Sequence, residues 1–408
     1  MLKSLRWYNG TTGNSPRPGL KPEYVYYVVE ALFNSSTSFI APVYVVFLIR
    51  SGLDYKGVAM VDGLYMISSA LLDYPTGGLA DRYGRGRVTA IGCALFGAGL
   101  LSYSLSRRLH EFLFSEFLAA IGMALYSGAF VAWLVDSLKE EKRSEDLSVV
   151  LGTSGTLTWL VGVIGAFVGG LLAEYSLRIP FVAGSLFCFT SAFIALYLTR
   201  GRGESPAIES RKPYLSLLKD GIIVLFRNKP LLWLTVGAFF VSAGLPSFTL
   251  TWAPYMEMLG AEKWLLGLAS SAFMATVGLA NYVGGRIARG IGYGKTILTS
   301  LALIAATFSL LQLVGDPYLF ILASLPFEAG FGLMTPAIRA WINTYIPSEE
   351  RATVISLRRT LVLPFSAAGM AAMGVLSDLG SPRLAFLFGL SMVLAAVPVY
   401  VKVLRKSN

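Results

Sequence analysis

Twelve stretches of this chain are apolar over the length of a bilayer, or nearly so, and that constrains the fold more than anything else in the sequence. They run approximately over 24–48, 57–79, 88–106, 111–135, 147–173 and 179–199, then over 231–255, 264–288, 296–314, 318–344, 352–376 and 383–403. A helix needs about 20 apolar residues to cross the hydrocarbon layer. Hydrophobic residues make up 55% of the 408 and charged residues 14%, where soluble domains carry about a quarter charged. With no water to satisfy backbone N–H and C=O groups, only helices and closed barrels can span lipid. The runs are unbroken and lack a period of two, so they predict helices. The expected class is an all-α integral membrane protein.

The second six runs repeat the first six at an offset of 208, the distance from Gly122 to Gly330. Ala129 then matches Ala337, Ala132 matches Ala340, Trp133 matches Trp341, Glu141 matches Glu349 and Arg143 matches Arg351. Two homologous six-helix bundles follow, at 23–199 and 231–403. Six is even, so both bundles have the same orientation, with a pseudo-two-fold axis along the membrane normal. A basic tail at 1–22, a linker at 200–230 and a tail at 404–408 complete the division. In the linker Tyr214, Leu217, Leu218, Ile222 and Leu225 recur at helical spacing among charges, which predicts a helix lying on the membrane surface.

The net charge of +10 does not mark a nucleic-acid binder, because the basic residues sit in short connections between spans and form no continuous face. Alternate connections differ sharply. One side gathers Arg82, Arg85, Arg87, Lys139, Lys142, Arg143, the linker cluster, Arg286, Arg289, Lys295 and both tails; the other has seven Lys and Arg, among them Arg50, Lys56, Lys263 and Arg383. The positive-inside rule makes the rich side, and so both termini, cytoplasmic. A plasma-membrane location is expected, with the lipid bilayer as surrounding partner, and a monomer.

Cys93 and Cys188 fall inside apolar runs, so neither a disulfide framework nor a metal cluster is available. No HExxH motif, phosphate-binding glycine loop or Ser/His/Asp arrangement is visible, and the sole histidine, His110, lies in an external connection. An enzyme, an ATP-driven pump and a cofactor are therefore not expected.

Between the second and third runs, Gly77 to Arg87 reads Gly-Gly-Leu-Ala-Asp-Arg-Tyr-Gly-Arg-Gly-Arg. So short a turn between two spans needs glycine for positive φ and close approach, which Gly84 and Gly86 supply. Asp81 stands where the second helix ends. A carboxylate there opposes its own helix dipole, so its partner is expected elsewhere: a cation, or the N-terminus of a helix from the other half. The other reading is a solvated loop. The second copy carries Arg289 in place of Asp81 and Asn281 in place of Asp73, so an acidic clamp would belong to the first half alone.

Gly78, Ala80, Asp81, Arg82, Gly84, Arg85 and Arg87 resemble the loop signature of the major facilitator superfamily of secondary transporters. The resemblance extends over nearly the whole chain, through the six-plus-six arrangement and the central linker. It implies alternating access around a midplane site, and it implies the start of the eleventh helix, near Ala352, as the partner of Asp81. Gly162, Gly165, Ala166, Gly169 and Gly170 are similar to the glycine-rich fifth helix of antiporters, with Ala166 where a proline would stand; close helix packing by small residues is the alternative.

Ionisable residues inside spans are costly and mark function. Glu30 and Asp73 lie roughly 10 Å in from the cytoplasmic ends of their helices, and Arg339, Arg358 and Arg359 lie at a similar level in the other half. Ion pairs between them would shut that side; arginines reaching to the membrane surface are the alternative. Glu328 lies near the middle of the tenth span, where a lone carboxyl can exchange a proton, attract a cationic substrate or hold a neighbouring helix. Glu116 is nearer the external surface, in an outer vestibule or a structural role. Asn34 to Ser38 form a polar run in the first helix, facing a central cavity in part, and Trp252 adds an apolar wall to it, with a place in the core or the interface belt as the alternative.

The reading is a secondary transporter moving a small molecule, with protons coupled to export of amphipathic or cationic compounds, and Glu30, Asn34, Ser38, Glu328 and Trp252 as its proton and substrate site. Uptake or facilitated transport of a small polar solute such as a sugar is the alternative within transport. A non-transporting receptor or scaffold is the alternative of another class.

Overall fold

The structure, a computed structural model, describes residues 20–200, 225–346 and 351–407; the side chains at 70, 73–78, 81, 351–353, 356 and 406–407 lie outside that description. Most of the linker, with its expected surface helix, falls outside it too, as do the side chains of Asp73 and Asp81.

The first half contains α1 (Pro22–Ile40), α2 (Tyr44–Arg50), α3 (Tyr55–Tyr83), α4 (Arg85–Leu105), α5 (Leu109–Glu140), α6 (Leu147–Tyr175) and α7 (Ile179–Leu198). The second contains α8 (Lys229–Gly244), α9 (Pro246–Thr249), α10 (Trp252–Met258), α11 (Lys263–Ile291), α12 (Tyr293–Leu310), α13 (Pro317–Asn343), α14 (Arg351–Leu379) and α15 (Pro382–Ser407). Among the described residues ten stretches are long and apolar enough to cross a bilayer by themselves, the broken α8 to α10 counting as one. The pair α1 and α2, bent by 45° at a short break, adds an eleventh. Helix α3 is the twelfth: it has the length, 29 residues, but its Lys56, Asp62, Asp73, Asp81 and Arg82 keep it from looking like a span by hydropathy.

The repeat survives at the level of single residues. Adding 208 to Tyr44, Tyr55, Arg85 and Leu109, the first residues of α2 to α5, gives Trp252, Lys263, Tyr293 and Pro317, the first residues of α10 to α13. The breaks correspond as well. Pro42 lies in the bend of the first span and Leu250 in the second break of the seventh. A proline removes a backbone donor and clashes with the preceding turn, which is why the helix stops there.

Each half has its own core. In the first, Trp133, Phe130, Tyr103, Phe33 and Phe181 are almost fully buried; in the second, Phe248, Phe308, Phe320, Phe327 and Phe386 are. Ring pairs tie helices across each bundle, as Phe33 with Tyr126 at 3.8 Å between centroids and Phe248 with Phe327 at 4.1 Å. In lipid, where apolar surface gains little from burial, this close packing is what holds helices together. Between the halves α6 packs on α11 and α3 on α14.

Candidate functional site

The charged turn after α3 is built as a rigid corner. Gly84 has φ +91°, and its counterpart Gly292 has φ +92°, a backbone region that only glycine enters cheaply. Two residues on, a Cβ at Gly86 would lie 1.9 Å from Thr199 Oγ1 at the end of α7, so the turn also needs glycine for approach. Arg85 anchors the corner to α5, where its guanidinium donates to the Ala132 carbonyl at 2.9 Å and pairs with Asp136. Arg82 and Arg87 are exposed, Arg82 lying over the Tyr83 ring at 5.5 Å. Gly78 and Asp81 fall among the side-chain positions outside the described set. At this same end Arg143 binds Glu23 of α1 at 3.1 Å, Glu141 at 3.0 Å and Asp146 at 2.7 Å. The hydrogen bond to Glu23 raises the guanidinium above its ordinary range.

The opposite end of the molecule carries contacts between halves. Asp378, in the last turn of α14, accepts from the backbone N–H groups of Tyr55 at 2.9 Å and Lys56 at 3.2 Å, the first two residues of α3. Glu174, in the last turn of α6, accepts from the N–H of Trp264 at 2.7 Å, the second residue of α11. Lys56 and Trp264 are repeat partners at the 208 offset, so one acid from each half caps a helix of the other. The first turn of a helix has N–H groups without internal partners and a positive dipole end, which is what a carboxylate satisfies. Glu257 adds ion pairs with Arg50 of the other half at 3.1 Å and with Lys263.

From there α6 and α11 stay in contact to mid-span. A Cβ on Gly170 would stand 2.6 Å from Gly267 Cα, Ser271 Oγ donates to the Val163 carbonyl at 2.7 Å, and Trp159 Nε1 donates to the Met274 carbonyl at 2.9 Å. The glycines of α6 thus serve close packing, on α11 at Gly170 and within the half at Gly169, where a Cβ would lie 2.0 Å from Phe39 O.

The residues expected to form the central site separate into two groups. Glu30 is half-buried and held: Tyr126 of α5 donates to one carboxylate oxygen, and Asn34 Nδ2 lies 3.2 Å from the other. Asn34 also donates to the Glu30 carbonyl at 2.8 Å. Ser35, Ser36, Thr37 and Ser38 all return their hydroxyl hydrogens to carbonyls of their own helix. Ser38 is buried, against Gly162 and Gly165 of α6. Trp252 is 8% exposed and packs edge-on to Phe273 at 5.2 Å. Glu328, half-buried in α13, has no hydrogen-bond or ion-pair partner among the described residues.

The arginines separate similarly. Arg358 is 9% exposed and bonds inside its own half, Nε to Thr235 Oγ1 at 2.8 Å and Nη2 to the Leu234 carbonyl at 3.3 Å. Arg339 and Arg359 are exposed. Sequence reasoning did not single out Tyr126, Glu174, Asp378 or Asp62. Glu174 and Asp378 were within reach: each is an acid in the last turn of its helix, the same arrangement from which a partner elsewhere is expected for Asp81.

Residues 27–268 and 244–408 match the family profile of the Major Facilitator Superfamily. The chain is 21% identical over 392 residues to YxaM, an uncharacterized MFS-type transporter of Bacillus subtilis (strain 168), with 92% of each chain covered. It is 22% identical over 322 residues to Multidrug resistance protein 2 of the same organism, across 77% of this chain and 78% of that one. A crystal structure of a point mutant of the nucleoside transporter NupG superposes with a TM-score of 0.82 at 12% identity, covering 94% of this chain and 99% of the other, a likeness of fold. Twelve spans in two matched halves, the glycine corner and the profile over nearly the full length agree: the chain belongs to the Major Facilitator Superfamily and is a multi-pass membrane transporter of a small molecule, not an enzyme.

Proposed function

We propose that the protein is a proton-coupled exporter of amphipathic or cationic compounds, working by rocking the bundles 23–199 and 231–403 about a site between them. The observation that carries this reading is the solitude of Glu328. A half-buried carboxyl at mid-span without a cation or hydrogen-bond donor among the described residues is costly when ionised, so it gains from a proton or from a cationic ligand, and competition between the two is what proton-coupled export requires. Glu30, held by Tyr126 and Asn34, is the second acid of the site. Similarity to a multidrug resistance protein supports the same direction.

Uptake of a polar solute is less well supported, because the hydroxyls of Ser35 to Ser38 are turned to their own helix. The proposed orientation puts the Gly84 end and both termini in the cytoplasm of a plasma-membrane protein, as a monomer. When that end is shut, Asp73 and Asp81 would face the second half near the start of α14, with Arg339 and Arg359 as candidate bases; in the structure Asp378 and Glu174 close the opposite end.

The test is counterflow in proteoliposomes under an imposed proton gradient. The unmodified protein should concentrate a cationic dye against its gradient, whereas Glu328→Gln should exchange dye without concentrating it. Gradient-driven accumulation that survives Glu328→Gln would sink the assignment.

A further inference from the structure

Four polar side chains of the first half form a hydrogen-bonded row that the transport reading leaves unused. Tyr44 of α2 donates to Asp62 Oδ1 of α3 at 2.7 Å. Its hydroxyl oxygen lies 3.3 Å from that of Tyr103 on α4, and Tyr103 donates to Glu116 Oε2 of α5. Each acid is seven positions from the start of its helix, roughly 10 Å in from the end closed by Asp378 and Glu174.

The surroundings are largely apolar, with Tyr103 and Glu116 buried and Tyr44 and Asp62 half-buried. Tyr103 is 1% exposed and Glu116 8%; Phe112 of α5 and Phe181 of α7 lie against Tyr103 at 5.7 and 5.6 Å, and Phe47 of α2 packs on both. The titratable groups that act on one another across this space are Tyr44, Asp62, Tyr103 and Glu116. The other described charges of the neighbouring elements are engaged elsewhere or lie at helix ends. Arg50 at the end of α2 pairs with Glu257, Lys56 of α3 lies 3.9 Å from Asp378, and Glu111 of α5 turns back to the N–H groups of Arg107 and Arg108. His110 is exposed and Arg178 precedes α7. Among the described residues no cation is paired with Asp62 or Glu116.

Two considerations point to the same ligand. A buried carboxyl, Glu116, and a half-buried one, Asp62, sharing one largely apolar sleeve without a cation cannot both stay ionised cheaply, since like charges and desolvation each oppose it. Independently, the hydrogens do not balance. Four groups in a row have three gaps, and two phenols supply two hydrogens, a tyrosine having one to give. With both carboxyls ionised each tyrosine hydrogen is taken by an acid, and the Tyr44–Tyr103 gap is two oxygens facing each other without a hydrogen. One added proton fills it.

We infer that this row is a proton site: it binds a single proton shared by Asp62 and Glu116 and passes it between them through the hydroxyls of Tyr44 and Tyr103. With the proton on Glu116, that carboxyl donates to Tyr103, Tyr103 to Tyr44, and Tyr44 to ionised Asp62. Transfer moves three hydrogens one oxygen along. The Glu116 proton goes to Tyr103, the Tyr103 hydrogen to Tyr44 and the Tyr44 hydrogen to Asp62, and the net charge of the row stays at minus one. The longest gap, between the tyrosines, divides α2 and α3, which carry the contacts to the other half, from α4 and α5. The inference stands apart from Glu328, because the charge and hydrogen count holds whatever solute is carried.

Infrared difference spectroscopy on the full-length protein in lipid nanodiscs, stepped from neutral to alkaline pH, tests it with the proton itself as ligand. The unmodified protein should show a protonated-carboxyl C=O band at neutral pH, of which one carboxyl's intensity is lost in Asp62→Asn and equally in Glu116→Gln, since either amide supplies the missing hydrogen. A band unchanged in both variants overturns the site, and loss in only one shows a fixed proton and overturns the sharing. Should the amide variants fail to fold, the tyrosine C–O band of the unmodified protein should shift together with the carboxyl band, and Tyr103→Phe should remove that shift. A tyrosine band that stays still, or a shift that survives Tyr103→Phe, also overturns it.

Discussion

The Asp378 carboxylate accepts from the backbone N–H of Tyr55 at 2.9 Å, so a helix of the first half is capped by an acid from the second. Its counterpart is the bond from the Trp264 N–H to Glu174 at 2.7 Å. Both must break when the halves part at this end. A side-chain cap contributes about 1 kcal/mol. Asp378→Ala should therefore shift the closed-to-open equilibrium at this end roughly 5-fold toward opening, and Asp378→Ala with Glu174→Ala roughly 30-fold. Distances between spin labels near α3 and α14 would show it, and an unmoved distribution in the double variant would rule these caps out as a latch.

Asp81 should act in the opposite sense. If its carboxylate clamps the start of α14 when the Gly84 end is shut, Asp81→Asn raises the population open at that end and lowers it at the other. The same labels report both ends, and a variant with unchanged populations would remove Asp81 from the closing device.

Gly84 and Gly292 make a stability prediction that involves no transport. Both hold φ near +90°, where a Cβ is strained by about 1–3 kcal/mol. Gly84→Ala and Gly292→Ala should each lower the thermal midpoint of the purified protein by several degrees. Equal midpoints in variant and parent would mean that the corner relaxes freely.

Much of the architecture was open to reading from the chain. The twelve spans were legible because lipid imposes a length and a composition on any helix that crosses it, and the halves were legible because the 208 offset is kept residue by residue, down to the starts of α2 and α10. Rotation about each helix was not. Asn34 and Ser38 are one turn apart in sequence, yet Asn34 holds Glu30 while Ser38 is buried against α6, and nothing in a polar run says which neighbour will cover which face. Asp62 was passed over because its meaning depends on Tyr44, Tyr103 and Glu116, which come from three other elements. Depth alone set Arg358 opposite the acids of the first half; its bonds to Thr235 and Leu234 show that a guanidinium can find oxygen within its own bundle.

At Gly170 and Gly267 there is nothing left to remove. Every substitution adds at least a methyl group where a Cβ would already stand 2.6 to 2.8 Å from the facing Cα, so mutation at these two places can only push α6 and α11 apart. The contact is an end-stop: the closed arrangement cannot be tightened there, only spoiled. Any adjustment of how long the molecule dwells in each state must come from residues away from that crossing, where side chains can still be made both smaller and larger.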